Sequence, residues 1–269
     1  MTTSVLRAAR LAGRGGLLAY RALFNWTTPP MFLGTLLAGP LLQLLFYVNL
    51  GRQLGVADDG FYVLGNAVLA ASVAGIYGGT MAVSNERRYG TLGAVLLSPR
   101  GRGILWAGRL LPYIGNGLLV AAVTLAAGAL LTGLELPVRS LWGIAVALLG
   151  AAAGCACFGL LLGAVGLRLR DVFVVSNLAA TVLLLVSGAE VPRSALPAVL
   201  RGAGAVLPMT HAIGAARALA AGAAVGGVGG VGRDLVAEGA LAGCYALLAV
   251  VLLRWFERGS RRSATLDVV

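Results

Sequence analysis

The run LWGIAVALLGAAAGCACFGLLLGAVGL (Leu141–Leu167), the turn Arg168-Leu169-Arg170-Asp171 and the run VFVVSNLAATVLLLV (Val172–Val186) establish what kind of protein this chain is. The first run holds no charged residue and exceeds the ~20 residues that a helix needs to cross about 30 Å of hydrocarbon. The turn interrupts it with two arginines and an acid, and a second apolar run comes next. Inside lipid every backbone N–H and C=O has to be satisfied within the protein, so the two runs read as membrane helices joined by a polar turn. Gly150, Gly154, Gly159, Gly163 and Gly166, set among alanines, give the first run a surface of small residues suited to close helix packing. Compositional bias is the other source such glycines can have.

Runs of the same kind lie on both sides. Met31–Leu50 and Phe61–Val83 flank a turn at Asp58-Asp59-Gly60, Leu110–Leu131 precedes a turn holding Glu135, Pro137 and Arg139, and Val236–Leu253 comes last. The pattern predicts an all-α polytopic membrane protein with six transmembrane helices. Gln43, Asn49 and Asn66 are polar exceptions, expected to face other helices because an unpaired amide in hydrocarbon is costly. Between the fifth and sixth runs, Ser187–Pro192, Pro197 and the apolar piece Leu196–Leu207 ending at Pro208 are too short and too broken to cross, which predicts short re-entrant or interfacial helices. Thr210–Leu219 predicts a short outer helix before a Gly-rich linker at 222–232. An additional hairpin within 187–235 is the alternative. Ahead of the first run, Leu6–Phe24 spaces Arg7, Arg10, Arg14 and Arg21 at helical intervals, the pattern of an amphipathic helix on a membrane surface. A plain basic flank is the alternative there, and Pro29 and Pro30 break the chain before the crossing. The organisation is thus an interfacial segment at 1–30, a six-span domain at 31–256 and a tail at 257–269.

Composition agrees with this reading. Hydrophobic residues make up 59% of the 269 positions and charged residues 12%, too little polar surface for an ordinary soluble domain of this length. The net charge of +11 first suggests a nucleic-acid partner, but the arginines are distributed by topology. The residues before Met31, the 84–109 connection, the 168–171 connection and the tail from Arg254 hold 15 of the 21 basic residues, all of them arginine, and four acids. The opposite connections are neutral overall. Excess arginine beside short loops marks the cytoplasmic face, so both termini are expected inside, with membrane lipids rather than nucleic acid as surroundings. The basic beginning lacks the short apolar core and small-residue cleavage site of a signal peptide, so none is expected to be removed. Cys155, Cys157 and Cys244 lie in apolar runs and suit packing rather than a metal set or a disulfide framework.

Two places carry the remaining information. Asn85-Glu86-Arg87-Arg88-Tyr89-Gly90-Thr91-Leu92-Gly93-Ala94-Val95-Leu96-Leu97-Ser98-Pro99 combines charges, a Gly-Thr break, an amphipathic segment and a proline stop on the expected cytoplasmic side. It can transmit a partner's motion to two spans, or simply serve topology. The second is Val186–Pro192 followed by Leu196-Pro197 and Leu207-Pro208-Met209-Thr210-His211. There Glu190 is either a gate or substrate contact or, on the preferred reading, a satisfied, solvated turn residue. His211, the sole histidine, is read as a capping or locally hydrogen-bonded residue rather than a proton relay.

These two segments resemble the ABC-2 type permease family, the integral-membrane subunits of bacterial exporters. Glu86-Arg87-Arg88-Tyr89-Gly90-Thr91-Leu92 followed by Leu96-Leu97-Ser98-Pro99 is similar to the family's E-R-x-x-G-T-L … L-L-x-S/T-P segment. Ser187-Gly188-Ala189-Glu190-Val191-Pro192 with the two Leu-Pro pairs is similar to its S-G-x-x-x-P … L-P … L-P-x-T/S-H/Y region. The resemblance implies a cytoplasmic coupling helix docking on a separate ATP-binding subunit, with Glu86 and Arg87 as charged anchors, Gly90 and Thr91 shaping the turn, and Leu92 and Leu96 packing into the partner. It also implies an outer gate or re-entrant region around Gly188, Glu190, Pro192, Pro197 and Pro208.

With no lysine in the chain there is no Walker A motif. ATP and Mg are therefore expected in the partner, with no cofactor, metal or catalytic residue here, and the assembly implied is two permeases, a homodimer, plus two ATPase subunits. The expected function is ATP-driven export (efflux) of an amphiphilic drug-like or lipid-like molecule. Export of a polysaccharide or lipid-linked glycan is the alternative within transport, disfavoured by seven Phe, seven Tyr and four Trp. A non-transport membrane scaffold and a membrane enzyme are the alternatives outside it.

Overall fold

The computed structural model describes residues 33–91, 102–167, 171–223 and 230–263, with positions 13, 15, 16, 93 and 95 in addition. The described chain is helical and contains no strand. A π-helical turn at Leu33–Leu37 leads into α1 (Ala38–Leu54), followed by α2 (Asp59–Arg88), α3 (Arg102–Thr132), α4 (Val138–Gly166) and α5 (Val172–Val186). After a 3₁₀ turn at Arg193–Ala195 come α6 (Ala198–Val206), α7 (Thr210–Ala220) and α8 (Val231–Ser263). Leu92, Leu96 and almost all of the amphipathic segment at 1–30 lie outside the described residues.

Four of the described helices, α2, α3, α4 and α8, are long and apolar enough to cross a membrane. The expected fifth run is one helix with the expected bounds, Val172–Val186, but its 15 residues rise only about 22 Å. α3 begins at Arg102, well before the expected Leu110, and carries Pro112 inside it. Local chemistry sets the ends. Gly55 takes the left-handed conformation (φ 63°) that closes α1, its N–H donating to Gly51 O at 2.8 Å. Asp171 opens α5 by accepting from the Phe173 N–H at 2.9 Å.

α2 is the central helix, buried against α3 and α4. The α2–α4 crossing depends on small residues: a Cβ on Gly159 would stand 2.3 Å from Ile76 O, and one on Gly79 would stand 2.2 Å from Ala156 O. Thr80 closes the same crossing by donating from Oγ1 to Ile76 O at 2.9 Å and to Gly159 O at 3.2 Å. The glycines of α4 are therefore packing devices. Asn66 is buried as expected, whereas Asn49 is exposed and faces no other helix among the described residues. Its amide donates to Leu45 O at 2.7 Å one turn back, which satisfies it without a neighbour. Cys155 is buried, Cys157 half-buried and Cys244 exposed, all as free thiols.

The connections alternate between two ends of the bundle. At one end Ala82, Val83, Trp106, Leu110, Leu160, Ala164 and Leu253 share a buried cluster, which brings the end of α2, the start of α3, the end of α4 and the last part of α8 together. Gly16 approaches this end as well, packed against Gly108 of α3. At the other end, the α1–α2 turn meets Leu134 of the α3–α4 turn and the segment after α5. Arg52 and Asp59 form an ion pair across that α1–α2 turn, Nε to Oδ1 3.0 Å.

Candidate functional site

The arginine-rich end is organised around the last turn of α2. Glu86 Oε1 accepts from Arg109 Nε of α3 at 2.9 Å, with Nη2 of the same guanidinium at 2.7 Å, and Glu86 Oε2 accepts from Thr91 Oγ1 at 2.6 Å. Thr91 N–H also donates to Glu86 O at 2.9 Å, so side chain and backbone fold the connector back on α2. Gly90 sits at φ 68°, the left-handed region that the reversal needs and that glycine adopts without a steric cost. Val95 N–H donates to Thr91 O at 3.1 Å, the i to i−4 bond that starts a new helical turn. Arg87 reaches across to the α4–α5 connection, donating from Nη1 to Leu167 O at 3.1 Å.

Glu86, Arg87, Gly90 and Thr91 are thus brought together, and their polar groups join the connector to α3 and to the end of α4. Arg88 and Tyr89 project outward and are exposed. Arg109 escapes a reading of the sequence, since nothing in a separation of 23 positions signals a pairing with Glu86.

The opposite end is built from the turn after α5. Gly188, at φ 91°, starts an irregular segment whose carbonyls are collected by Arg217 of α7. Arg217 Nη1 donates to Gly188 O at 2.8 Å, and Nη2 donates to Ala189 O and Phe61 O, each at 2.9 Å, with the guanidinium 3.5 Å over the Phe61 ring. The five-donor planar fork of arginine suits this converging set of carbonyls.

Glu190, expected as a solvated turn residue, is only 6% exposed. The fold of the turn carries it inward against α2, where Oε2 lies 3.5 Å from Asn66 Nδ2, and Oε1 has no partner among the described residues. Burial pushes its pKa up to about 7, against the opposing pull of Arg217 and of the Asn66 and Gln43 amides.

Pro192, Pro197 and Pro208 punctuate the chain from this turn to α7. Pro192 precedes the 3₁₀ turn, Pro197 precedes α6, and Pro208 stands just before Met209, whose φ of 69° turns the chain into α7. α6 leans on the end of α5: a Cβ on Gly204 would lie 2.6 Å from Val186 O.

α7 begins without a side-chain cap of its own. Glu238 of α8, 1% exposed, supplies one from elsewhere in the chain, accepting from Met209 N at 2.7 Å and Ala212 N at 3.2 Å. His211 has the local role expected of it, with Nδ1 3.1 Å from Asp234 Oδ1 of α8 and Nε2 3.0 Å from Ala205 O of α6. Glu238 and Arg217 tie these segments together through backbone hydrogen bonds, and the sequence reading misses both. A carboxylate three positions into the last apolar run is the available signal for Glu238, since such a group has to be paired.

Long apolar helices, a braced connector at one end and proline-bounded short helices at the other define a helical multi-pass membrane protein. A family model described as ABC-2 type transporter matches residues 16–220, and the chain belongs to that family. The match takes in both the connector and the short helices α6 and α7. Domains of this family are the permease part of ABC transporters, not the ATPase, and work with a cytoplasmic ATP-binding subunit. No curated protein and no solved structure matches the chain.

Proposed function

We propose that this chain is the permease subunit of an ATP-driven exporter that moves an amphiphilic, drug-like or lipid-like molecule outward across a bacterial inner membrane. The observation that carries the reading is the bracing of the Glu86–Thr91 connector, through Arg109 to α3 and through Arg87 to the α4–α5 connection. A push on that connector reaches several helices at once. In this reading the arginine-rich end is cytoplasmic, both termini lie there, and α1 and α5 complete six crossings.

Two copies work with two ATP-binding subunits, which hold ATP and Mg. Glu86 and Arg87 act by holding the docking surface in shape, and Leu92 and Leu96 contact the partner. ATP-driven closure of the partners shifts the permease pair between states, and the segment from Gly188 through Pro192 and Pro197 to Pro208 gates the outer side. Glu190 is the acid of that gate.

The reading is tested by reconstituting the chain with its ATP-binding subunit and measuring outward movement of labelled amphiphiles alongside ATP hydrolysis. Export that requires both chains supports it. Substrate-independent hydrolysis with no transport supports the scaffold alternative, and movement of glycans alone supports the glycan one.

A further inference from the structure

α6 is tied to the rest of the bundle through its last carbonyls. Gly204 is its one buried residue, and Val199, Leu200 and Val206 stand exposed. A helix leaves its final C=O groups without partners of its own. Two of these are taken by side chains from other helices: Ala205 O lies 3.0 Å from His211 Nε2 of α7, and Val206 O accepts from the Tyr245 hydroxyl of α8 at 2.6 Å. With its other ring nitrogen His211 meets Asp234 Oδ1 of α8 at 3.1 Å. One imidazole thus joins α6, α7 and α8.

The partners decide how many protons the ring has to carry. A carbonyl oxygen only accepts, and so does an ionised carboxylate, so both ring nitrogens have to donate. The imidazolium alone does that. A neutral ring keeps one N–H and sets a lone pair against an oxygen at the other contact. The carboxylate is the stronger acceptor, so the proton retained is the one on Nδ1 and the contact given up is the one to Ala205 O.

The surroundings suit a cation. The C-terminal end of α6 favours positive charge. From α8 come two carboxylates: Asp234, whose Oδ2 packs on α7 at 3.2 Å from where a Cβ on Gly214 would stand, and Glu238, which bonds the first N–H groups of α7. The arginines of these helices are engaged elsewhere or exposed. Arg217 of α7 is occupied by the carbonyls of Gly188, Ala189 and Phe61, and Arg139 of α4 lies toward Gly222, beyond the far end of α7. Arg201 of α6 and Arg233 of α8 are exposed, and Cys155 of α4 is a buried free thiol.

We propose that His211 is a proton-operated latch for α6: as the imidazolium it holds the helix to α7 and α8, and as the neutral ring it lets the helix go. Histidine is the side chain that changes charge between about pH 5 and 8. The latch goes beyond the export reading and needs neither the ATP-binding subunit nor a substrate, so it is tested separately. In that reading α6 lies on the outer side, and the latch answers to the pH there.

His211 is the sole histidine, so the purified full chain in nanodiscs, labelled with nitrogen-15 histidine, gives one pair of ring signals. Both nitrogens are expected to carry a proton at about pH 5.5 and one of them at about pH 8.5. Hydrogen–deuterium exchange of α6, corrected for the intrinsic pH dependence of exchange, reads the latch itself. Protection is expected to fall about tenfold between the two pH values, the order of one hydrogen bond to a charged group. His211→Phe, which has a ring but no N–H, should show the weak protection at both. Asp234→Asn distinguishes the latch from a plain structural contact. Its amide donates to Nδ1 of a neutral ring, Nε2–H stays on Ala205 O, and α6 is expected to remain protected at the higher pH. A ring with one proton at the lower pH, wild-type α6 protection that does not change with pH, or an Asp234→Asn protein that loses protection as wild type does would each overturn the assignment.

Discussion

Glu238 of α8 accepts a hydrogen bond from the backbone N–H of Met209 at 2.7 Å, so a carboxylate from the last long helix caps the N-terminus of α7. Removing it leaves buried backbone donors unpaired. Glu238→Ala is expected to destabilise the protein by about 3 kcal/mol, and Glu238→Gln, which keeps an acceptor, by about 1 kcal/mol. Thermal unfolding of the purified protein in detergent orders the three; an alanine variant as stable as wild type would mean that the cap is not a structural tie.

The ion pair of Glu86 with Arg109 makes a prediction about coupling. Glu86→Lys sets a like charge against Arg109 and releases the connector from α3, and a loss of about tenfold in partner-stimulated ATP hydrolysis is expected, the factor that ~1.4 kcal/mol carries. The exchange Glu86→Arg with Arg109→Glu restores the pair and should recover most of it. Arg139→Glu, exposed and away from the connector, serves as the comparison. Indistinguishable rates for Glu86→Lys and Arg139→Glu in matched membranes would remove the connector from the coupling path.

How far the sequence is legible depends on the range of the forces involved. Hydrophobic run length and local capping are written in consecutive residues, so the long helices, the Val172–Val186 boundaries and the proline-bounded short helices can be read from the chain. Long-range polar pairing is not written that way. Glu190 is surrounded by turn residues in sequence, and only the fold shows it turned against Asn66, 124 positions away. Arg217 looks like an exposed helix arginine until the carbonyls of Gly188, Ala189 and Phe61 are seen converging on it. Asn49 errs the other way: the sequence cannot tell an amide bonded to its own helix from one facing a neighbour.

Burial of Glu190 predicts a pH effect whose sign is fixed. Its pKa in the folded protein is raised to about 7 from the ordinary 4.5, so the folded state holds the proton more tightly than the unfolded state. The contribution is fully present below about pH 4.5 and is lost as pH rises through about 7, on the order of 3 kcal/mol in all. The melting temperature of wild type should therefore fall between pH 5 and 8, and Glu190→Gln should flatten that slope and melt higher than wild type at pH 8. A parallel slope in the variant would assign the pH dependence to other groups.

Gly159 tests the central crossing. A methyl there would meet Ile76 O at 2.3 Å, backbone against which no side-chain rotation gives relief, so α2 and α4 have to move apart. The separation also pulls Gly159 O away from Thr80 Oγ1, and Thr80 is the group to which Ser176 of α5 donates at 3.0 Å. Gly159→Ala is therefore expected to cost about 2 kcal/mol or more and to loosen α5 as well, read as faster labelling of a cysteine introduced at Ser176. Gly115→Ala, whose Cβ meets nothing within 4 Å, should leave both the melting temperature and the labelling rate unchanged. A Gly159→Ala protein that melts like wild type with Ser176 still protected would show that the two helices do not depend on this contact.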